Sequence, residues 1–267
     1  MKKLFLGSVA LLALGLGTTA GLAAELRRPP PPPPPAPVYT WSGCYVGASA
    51  GNSWGRSQHF TTAGSTLNNP GAQFNILPAG APITDNFDVS GFIGGGTLGC
   101  NWQWGAWVFG IEGDGSATNK SGQQFEGALV PVGGTTRAAW ISETQERWLV
   151  TARGRLGLTN FWWFGPNTLL YVTGGGAWAK IDTSEFLSGR VINASLQESN
   201  TRSGWTVGGG LEYALGYGWS AKSEFLYVKF DNFTTFTSGP FSTNILSPRE
   251  VKLEDYIWRA GLNYKFW

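Results

Sequence analysis

From Trp41 onward, hydrophobic and polar residues alternate along short stretches that are broken by Gly, Asn, Asp, Ser and Pro. Alternation of period two is the mark of a half-buried β-strand. Eight stretches carry it: Trp41–Trp54, Phe87–Cys100, Ala106–Thr118, Thr144–Thr159, Thr168–Asp182, Ser203–Leu215, Trp219–Asp231 and Val251–Phe266. The last is the clearest. Tyr256, Trp258, Ala260, Leu262, Tyr264 and Phe266 share one face, and Ile257, Arg259, Gly261, Asn263 and Lys265 share the other. In Thr144–Thr159 the same split sets Trp148, Val150, Ala152, Leu156 and Leu158 against Arg147, Thr151, Arg153 and Arg155. Trp107, Phe109 and Ile111 oppose Glu112 and Asp114. Trp205, Val207, Leu211 and Tyr213 oppose Glu212, and Ala221, Phe225 and Tyr227 oppose Lys222 and Glu224.

The connections add a second pattern. Asn101–Gly105, Asn160–Asn167 and Gly216–Gly218 are short, and they alternate with long ones at roughly residues 55–86, 119–143, 183–202 and 232–250. A sandwich has no reason to gather every long loop at one end. A membrane barrel of meandering strands does. The expected fold is therefore all-β: an eight-stranded, antiparallel, up-and-down transmembrane β-barrel over residues 41–267. With an even strand count, both termini are expected on the periplasmic side and the long loops outside the cell. The apolar faces would then meet lipid, and the other faces would fill the interior. The expected interior charges are Glu112, Asp114, Arg153, Arg155, Glu212, Lys222, Glu224, Arg259 and Lys265, near balance in sign. A barrel this narrow is filled by its own side chains, so ion pairing rather than an open pore is expected.

The N-terminus supplies the route out of the cell. Lys2 and Lys3 precede an apolar run from Leu4 to Leu16, and small residues follow up to Ala24. This reads as a signal peptide over residues 1–24, with cleavage after Ala23 or Ala24. Seven consecutive prolines, Pro29–Pro35, make residues 25–40 a stiff polyproline II spacer, expected in the periplasm. No later stretch has the roughly 18 apolar residues of a spanning helix.

Composition changes the picture little. Lys+Arg 19 against Asp+Glu 17 gives no case for a nucleic-acid partner. The 14 Trp do matter, because Trp favours the membrane–water interface. Catalytic chemistry is absent from the pattern. The single histidine, His59, reads as a solvated residue of the first long loop. Two cysteines and one histidine suggest no metal cluster, and no cofactor is implied.

Several segments resemble the Omp25/Omp31-type outer-membrane proteins of alphaproteobacteria. They are Trp41-Ser42-Gly43-Cys44-Tyr45-Val46-Gly47, Gly94-Gly95-Gly96, Gly99-Cys100-Asn101-Trp102-Gln103 and Val108-Phe109-Gly110-Ile111-Glu112-Gly113-Asp114. Thr151-Ala152-Arg153-Gly154-Arg155-Leu156-Gly157 is the most specific, followed by Leu170–Gly175, Gly204–Tyr213, Lys222–Tyr227 and Arg259–Phe266. The resemblance implies a barrel with structural and surface-contact roles. Its partners would be outer-membrane lipids, the barrel-assembly machinery and a cell-wall or surface partner. The alternating tail Trp258, Ala260, Leu262, Tyr264 and Phe266 resembles the signal that this machinery reads, and Trp267 adds one residue beyond it. The family has aromatic residues where this chain has Cys44 and Cys100. These two stand at the same end of consecutive strands, and the oxidising periplasm permits a disulfide between them. Two separate small hydrophobes is the other reading.

The expected function is a non-enzymatic, structural or surface-contact barrel with an occluded polar interior. A narrow channel for small solutes or ions is the first alternative. A soluble secreted β-protein that binds a ligand is the second.

Overall fold

The computed structural model describes residues 39–62, 68–69, 72–74, 87–129, 131–132, 138–161, 164–189, 193–235 and 249–267. The signal peptide and almost all of the proline-rich segment lie outside the described residues. The strands in chain order are β1 (Gly43–Thr61), β2 (Asn68–Asn69), β3 (Ala72–Phe74), β4 (Phe87–Trp104), β5 (Trp107–Thr118), β6 (Ser121–Leu129) and β7 (Pro131–Val132). They continue with β8 (Ala138–Thr159), β9 (Thr168–Gly189), β10 (Asn193–Gly216), β11 (Trp219–Phe230), β12 (Phe233–Thr235) and β13 (Arg249–Lys265).

Eight of these close into a ring of antiparallel pairs, in the order β1, β4, β5, β8, β9, β10, β11, β13 and back to β1. Closure leaves no exposed edge around the ring, the property a sheet needs to cross lipid. β6 carries β5 onward along β8, after a break at Asn119 and Lys120. β12 carries β11 onward along β13. β2, β3 and β7 form a small separate sheet. The short turns gather at one end, called here the turn end. At one of them Tyr217 and Gly218 both have positive φ, 53° and 83°, as a two-residue type I′ hairpin requires.

Alternation sorts the side chains as the sequence suggests. Trp102, Trp104, Trp107, Trp219, Tyr264 and Phe266 form an exposed aromatic band at the turn end. Trp54, Trp178, Trp205 and Trp258 form a second band toward the loop end. Between them the outward face is aliphatic, with Leu98, Ile111, Leu156, Val172 and Leu262. Two aromatic girdles around an apolar belt are the surface that a lipid bilayer selects.

Three expectations are corrected. Two expected loops are largely strand: in 183–202, β9 runs on to Gly189 and β10, its antiparallel partner, starts at Asn193, and in 119–143 lie β6 and the start of β8. The polar residues there hid the strand, because beyond the apolar belt an outward position has no need to be hydrophobic. β1 likewise continues to Thr61, which turns His59 from a solvated loop residue into a fully buried one. Arg147 does not point inward. At Glu146/Trp148 the β8–β9 register slips by one residue, and Arg147 is the extra residue of a β-bulge. It lies exposed and pairs with Asp182 at 2.7 Å. The slip exchanges the faces, so that Leu149, Thr151, Arg153 and Arg155 point inward on one side of it, and Glu146, Thr144 and Ser142 on the other.

If Arg147 is the surplus residue, deleting it restores unbroken alternation without moving Glu146 from the interior. The deletion variant is expected to migrate as a compact, heat-modifiable species on gels. Deleting Trp178 from the bulge-free strand β9 reverses every face on one side of the gap, and no compact species is expected.

Candidate functional site

The interior is the candidate site, and it is built in three storeys. At the turn end, Trp41, Val108, Leu169, Tyr171 and Ala214 form an apolar floor, with Tyr39 against it. Trp41 is 3% exposed, and its indole N–H donates to the Pro166 carbonyl at 3.1 Å. Burial pushes the Tyr39 hydroxyl up to about 12, and the negative charge of Glu212 pushes the same way.

Above the floor lies the charged storey. The structure brings eight of the nine expected interior charges together there. Arg153 from β8 donates to Glu224 at 2.9 Å, to Asp114 at 2.9 Å and to Glu112. Arg259 from β13 crosses to Asp114 at 2.8 Å and to Glu224 at 2.8 Å. Arg155 reaches Glu212 at 2.7 Å, and Lys222 reaches Glu112 at 3.2 Å. The acids Glu112, Asp114, Glu212 and Glu224 match the bases Arg153, Arg155, Lys222 and Arg259 in number, and all are buried. Strand alternation explains the set, since each residue occupies an inward position of its strand.

Lys265 is the ninth, and it does not join. It stands at the turn-end mouth, only partly buried, donating to the Thr40 carbonyl above the Tyr39 ring. The mouth is where its position in β13 falls, two residues past Asn263, the last buried inward residue of that strand.

Neutral groups complete the storey; the sequence reading set Thr151 and Asn263 on the inward faces but did not single out Tyr45, Tyr171 or Ser220. The Tyr45 hydroxyl donates to Glu112 at 2.7 Å and accepts from Arg155 at 2.6 Å. The Tyr171 hydroxyl donates to Glu224 at 3.1 Å, and the Arg155 guanidinium lies 3.8 Å from the Tyr171 ring centroid. Ser220 and Asn263 donate to Glu212 at 2.6 and 2.8 Å, and Thr151 donates to Asp114 at 2.5 Å. Glycine makes room for the two rings: a Cβ at Gly99 would stand 2.4 Å from the Tyr45 hydroxyl, and one at Gly210 2.6 Å from that of Tyr171. Tyr45 and Tyr171 were legible, since both follow the inward parity of their strands.

The third storey departs from a polar interior. Ile93, Leu149, Ala177, Ala179, Ile181, Leu226, Val228, Phe230, Leu253 and Ile257 pack into a buried apolar core inside the ring. Within it lies a second ionic group. Lys120 Nζ is 2.5 Å from Glu146 and also contacts Asp255, and all three side chains are buried. Two irregularities bring the group together: the β5/β6 break turns Lys120 inward, and the bulge turns Glu146 inward. Its Asp255 was within reach of the sequence, two positions before Ile257 on the same face.

His59 sits near the top, with Ser57 Oγ 3.4 Å from Nε2 and Glu185 3.6 Å from Nδ1. The order serine–histidine–carboxylate invites a catalytic reading. Both distances exceed the roughly 2.6–3.2 Å of a working relay. All three groups are also buried, with the His59 ring centroid 5.7 Å from that of Phe87, so the arrangement presents no solvent-open site. Among the described residues, no group of His, Cys, Asp and Glu side chains is arranged to hold a metal ion.

Outside the ring, Cys44 and Cys100 are bonded across the β1–β4 pair, S–S 2.08 Å, where they stand directly opposite each other. Trp258, Ala260, Leu262, Tyr264 and Phe266 all face outward, and Trp267 is 86% exposed.

Breaking a buried pair leaves an uncompensated charge, at a cost of about 3–5 kcal/mol. Arg153→Ala, which strips three carboxylates of a partner, is expected to lose stability on that scale, read as a lower urea midpoint of the folded barrel. Lys265→Ala at the mouth is expected to cost less than about 1 kcal/mol.

The family model of the outer membrane protein beta-barrel domain matches residues 9–266. The 31 kDa outer-membrane immunogenic protein of Brucella melitensis biotype 1 is 30% identical over 279 residues, covering 100% of both chains. The 25 kDa outer-membrane immunogenic protein of Brucella canis is 28% identical over 276 residues, covering 100% of this chain and 99% of that one. Among solved structures, the outer membrane protease OmpT of Escherichia coli aligns with TM-score 0.47 and 9% identity, covering 87% of this chain and 99% of that one. Ail of Yersinia pestis aligns with TM-score 0.30 and 14% identity, covering 81% and 99%. A closed ring of eight strands with two aromatic girdles, matched along nearly its whole length by the family model, belongs to the outer-membrane β-barrel family of the Brucella 25 and 31 kDa proteins.

Proposed function

We propose that this protein is a structural and surface-contact barrel of the outer membrane, closed to solutes. The turn end, with both termini, faces the periplasm, and the long loops face outward. Its partners are outer-membrane lipids, the barrel-assembly machinery during biogenesis, and a cell-wall or surface partner. The observation that carries this reading is the filled interior. An apolar floor, a neutral ion-paired storey and an apolar core lie one above another along the barrel, and the side chains that build them are buried. The names of the Brucella relatives, which describe outer-membrane immunogens, support surface exposure. Family membership removes the soluble, secreted alternative.

The charged storey favours a second reading, a narrow channel for small solutes or ions. Rings of charged side chains are one way to build such a path, and Arg153, Arg155 and Arg259 with their acids would supply one. Conduction would require the floor at Trp41 and the core above to part as well.

Single-channel recording of the purified protein in a planar lipid bilayer separates the two. A silent bilayer is expected, and reproducible conductance steps would establish the channel instead. Protease added to intact cells tests the orientation. Cleavage is expected within residues 62–86, with the turns at 105–106 and 217–218 spared. Cutting at those turns in intact cells would reverse the assignment of the two ends.

A further inference from the structure

Every neighbouring pair in the ring but one is tethered by a stretch of chain at one end. The exception is β1–β13, the seam where the barrel's first and last strands meet. Its ladder runs from Tyr45↔Lys265 to Thr61↔Arg249 with no covalent link across it. Once parted, tethered strands are still held near one another, and these two are not.

The structure gathers fastenings at the turn end of this seam, and Cys44 is where they meet. Its sulfur is bonded to Cys100 on β4. Its N–H donates to the Trp267 carbonyl at 2.9 Å, and its own carbonyl accepts from the Phe266 N–H at 3.1 Å. The last two residues thus carry the seam ladder beyond the Tyr45↔Lys265 rung. Gly43 lies under the same carbonyl. A Cβ there would stand 1.7 Å from the Trp267 oxygen, and its φ of +133° is one that L side chains rarely adopt. A strap, residues 39–42, binds both neighbours of β1. Ser42 Oγ accepts from the Gln103 N–H of β4 at 2.9 Å, and the Trp41 N–H donates to the Gln103 side chain at 2.8 Å. On the other side Lys265 of β13 donates to the Thr40 carbonyl, with its ammonium 4.4 Å from the Tyr39 ring centroid.

We propose that Trp267, Gly43 and the Cys44–Cys100 disulfide form a redox-dependent clamp that locks the closing seam of the barrel. The disulfide fixes the start of β1 on β4, so that the Cys44 N–H and carbonyl are held in place for the Trp267 main-chain oxygen and the Phe266 N–H. Trp267 supplies this rung through its main-chain oxygen, and its exposed ring plays no part in the lock. Forming the clamp converts two thiols to one disulfide. Two electrons and two protons pass to a disulfide-bearing oxidant of the compartment that receives the exported chain. The clamp is independent of whether the barrel conducts.

The test uses the signal-free chain refolded in detergent, with the compact fraction followed by gel migration against temperature. Four proteins are compared, oxidised and reduced: the parent, the chain lacking Trp267, the Cys44→Ala/Cys100→Ala pair, and the combination. Keeping the parent reduced is expected to lower its midpoint by about 5 °C or more. Removing Trp267 is expected to lower the midpoint of the oxidised parent and to have much less effect without the disulfide. Fully additive losses, or no loss on removing Trp267 from the oxidised protein, would overturn the clamp. Hydrogen exchange of the parent alone needs no variant to assemble. On reduction, the Cys44 and Phe266 amides are expected to lose protection while the β8–β9 amides keep theirs. An equal change at both places, or none at either, also overturns it.

Discussion

Eight strands enclose room for side chains and little else. That single constraint governs the molecule, because every group that alternation sends inward must be satisfied by another group that alternation sends inward from a different strand. In the storey above the floor the solution is ionic. Four acids and four bases from β5, β8, β10, β11 and β13 cancel in sign, and Tyr45, Tyr171, Ser220, Asn263 and Thr151 take up remaining hydrogen-bonding capacity. Removing one partner of such a set costs more than the set contributes as a whole, since desolvation of the others has already occurred. The outer face obeys a simpler demand, apolar in the middle and aromatic at both boundaries, which leaves the interior to specify how the strands fit.

The same constraint explains why the ring is irregular where it is. Above the charged storey the interior turns apolar, and one ionic group, Lys120 with Glu146 and Asp255, is set into it. A regular β8 would have offered an odd-numbered residue, Arg147, at that level. The bulge expels Arg147 and delivers Glu146, while the break between β5 and β6 delivers Lys120. Both departures from the ladder therefore serve one contact. Bulges re-aim side chains in this way at the cost of a local loss of pairing.

What was legible in the sequence follows from where its signal is strong. Inside the apolar belt, lipid outside and charge inside keep the two faces chemically distinct, so Arg153, Arg155, Glu112, Asp114 and Arg259 could be placed from alternation alone. Beyond the belt, water replaces lipid and the outward face loses its hydrophobic mark. There β9 and β10 continued as strands through a segment that reads as loop, and His59 was assigned to solvent when it is buried. The bulge was invisible for a different reason. Period two carries no record of an inserted residue until the partner strand shows which side of it has slipped. Lys265 illustrates the end effect: parity sends it inward, but the interior stops before it does.

The strands also differ in length. β8, β9 and β10 run for 22, 22 and 24 residues, whereas β5 and β11 run for 12. About 9–11 tilted residues cross a bilayer, so on one side the sheet itself rises past the second aromatic band. What stands there is a paired surface, with side chains from adjacent strands aligned in cross-strand rows such as Ile141 beside Phe186 and Glu143 beside Ser184. A molecule that recognises this face reads residues distant in sequence at fixed spacing. Such recognition is lost when the strands separate, even though every peptide in it survives intact, so linear fragments are poor substitutes for the assembled barrel in raising or detecting a binder to it.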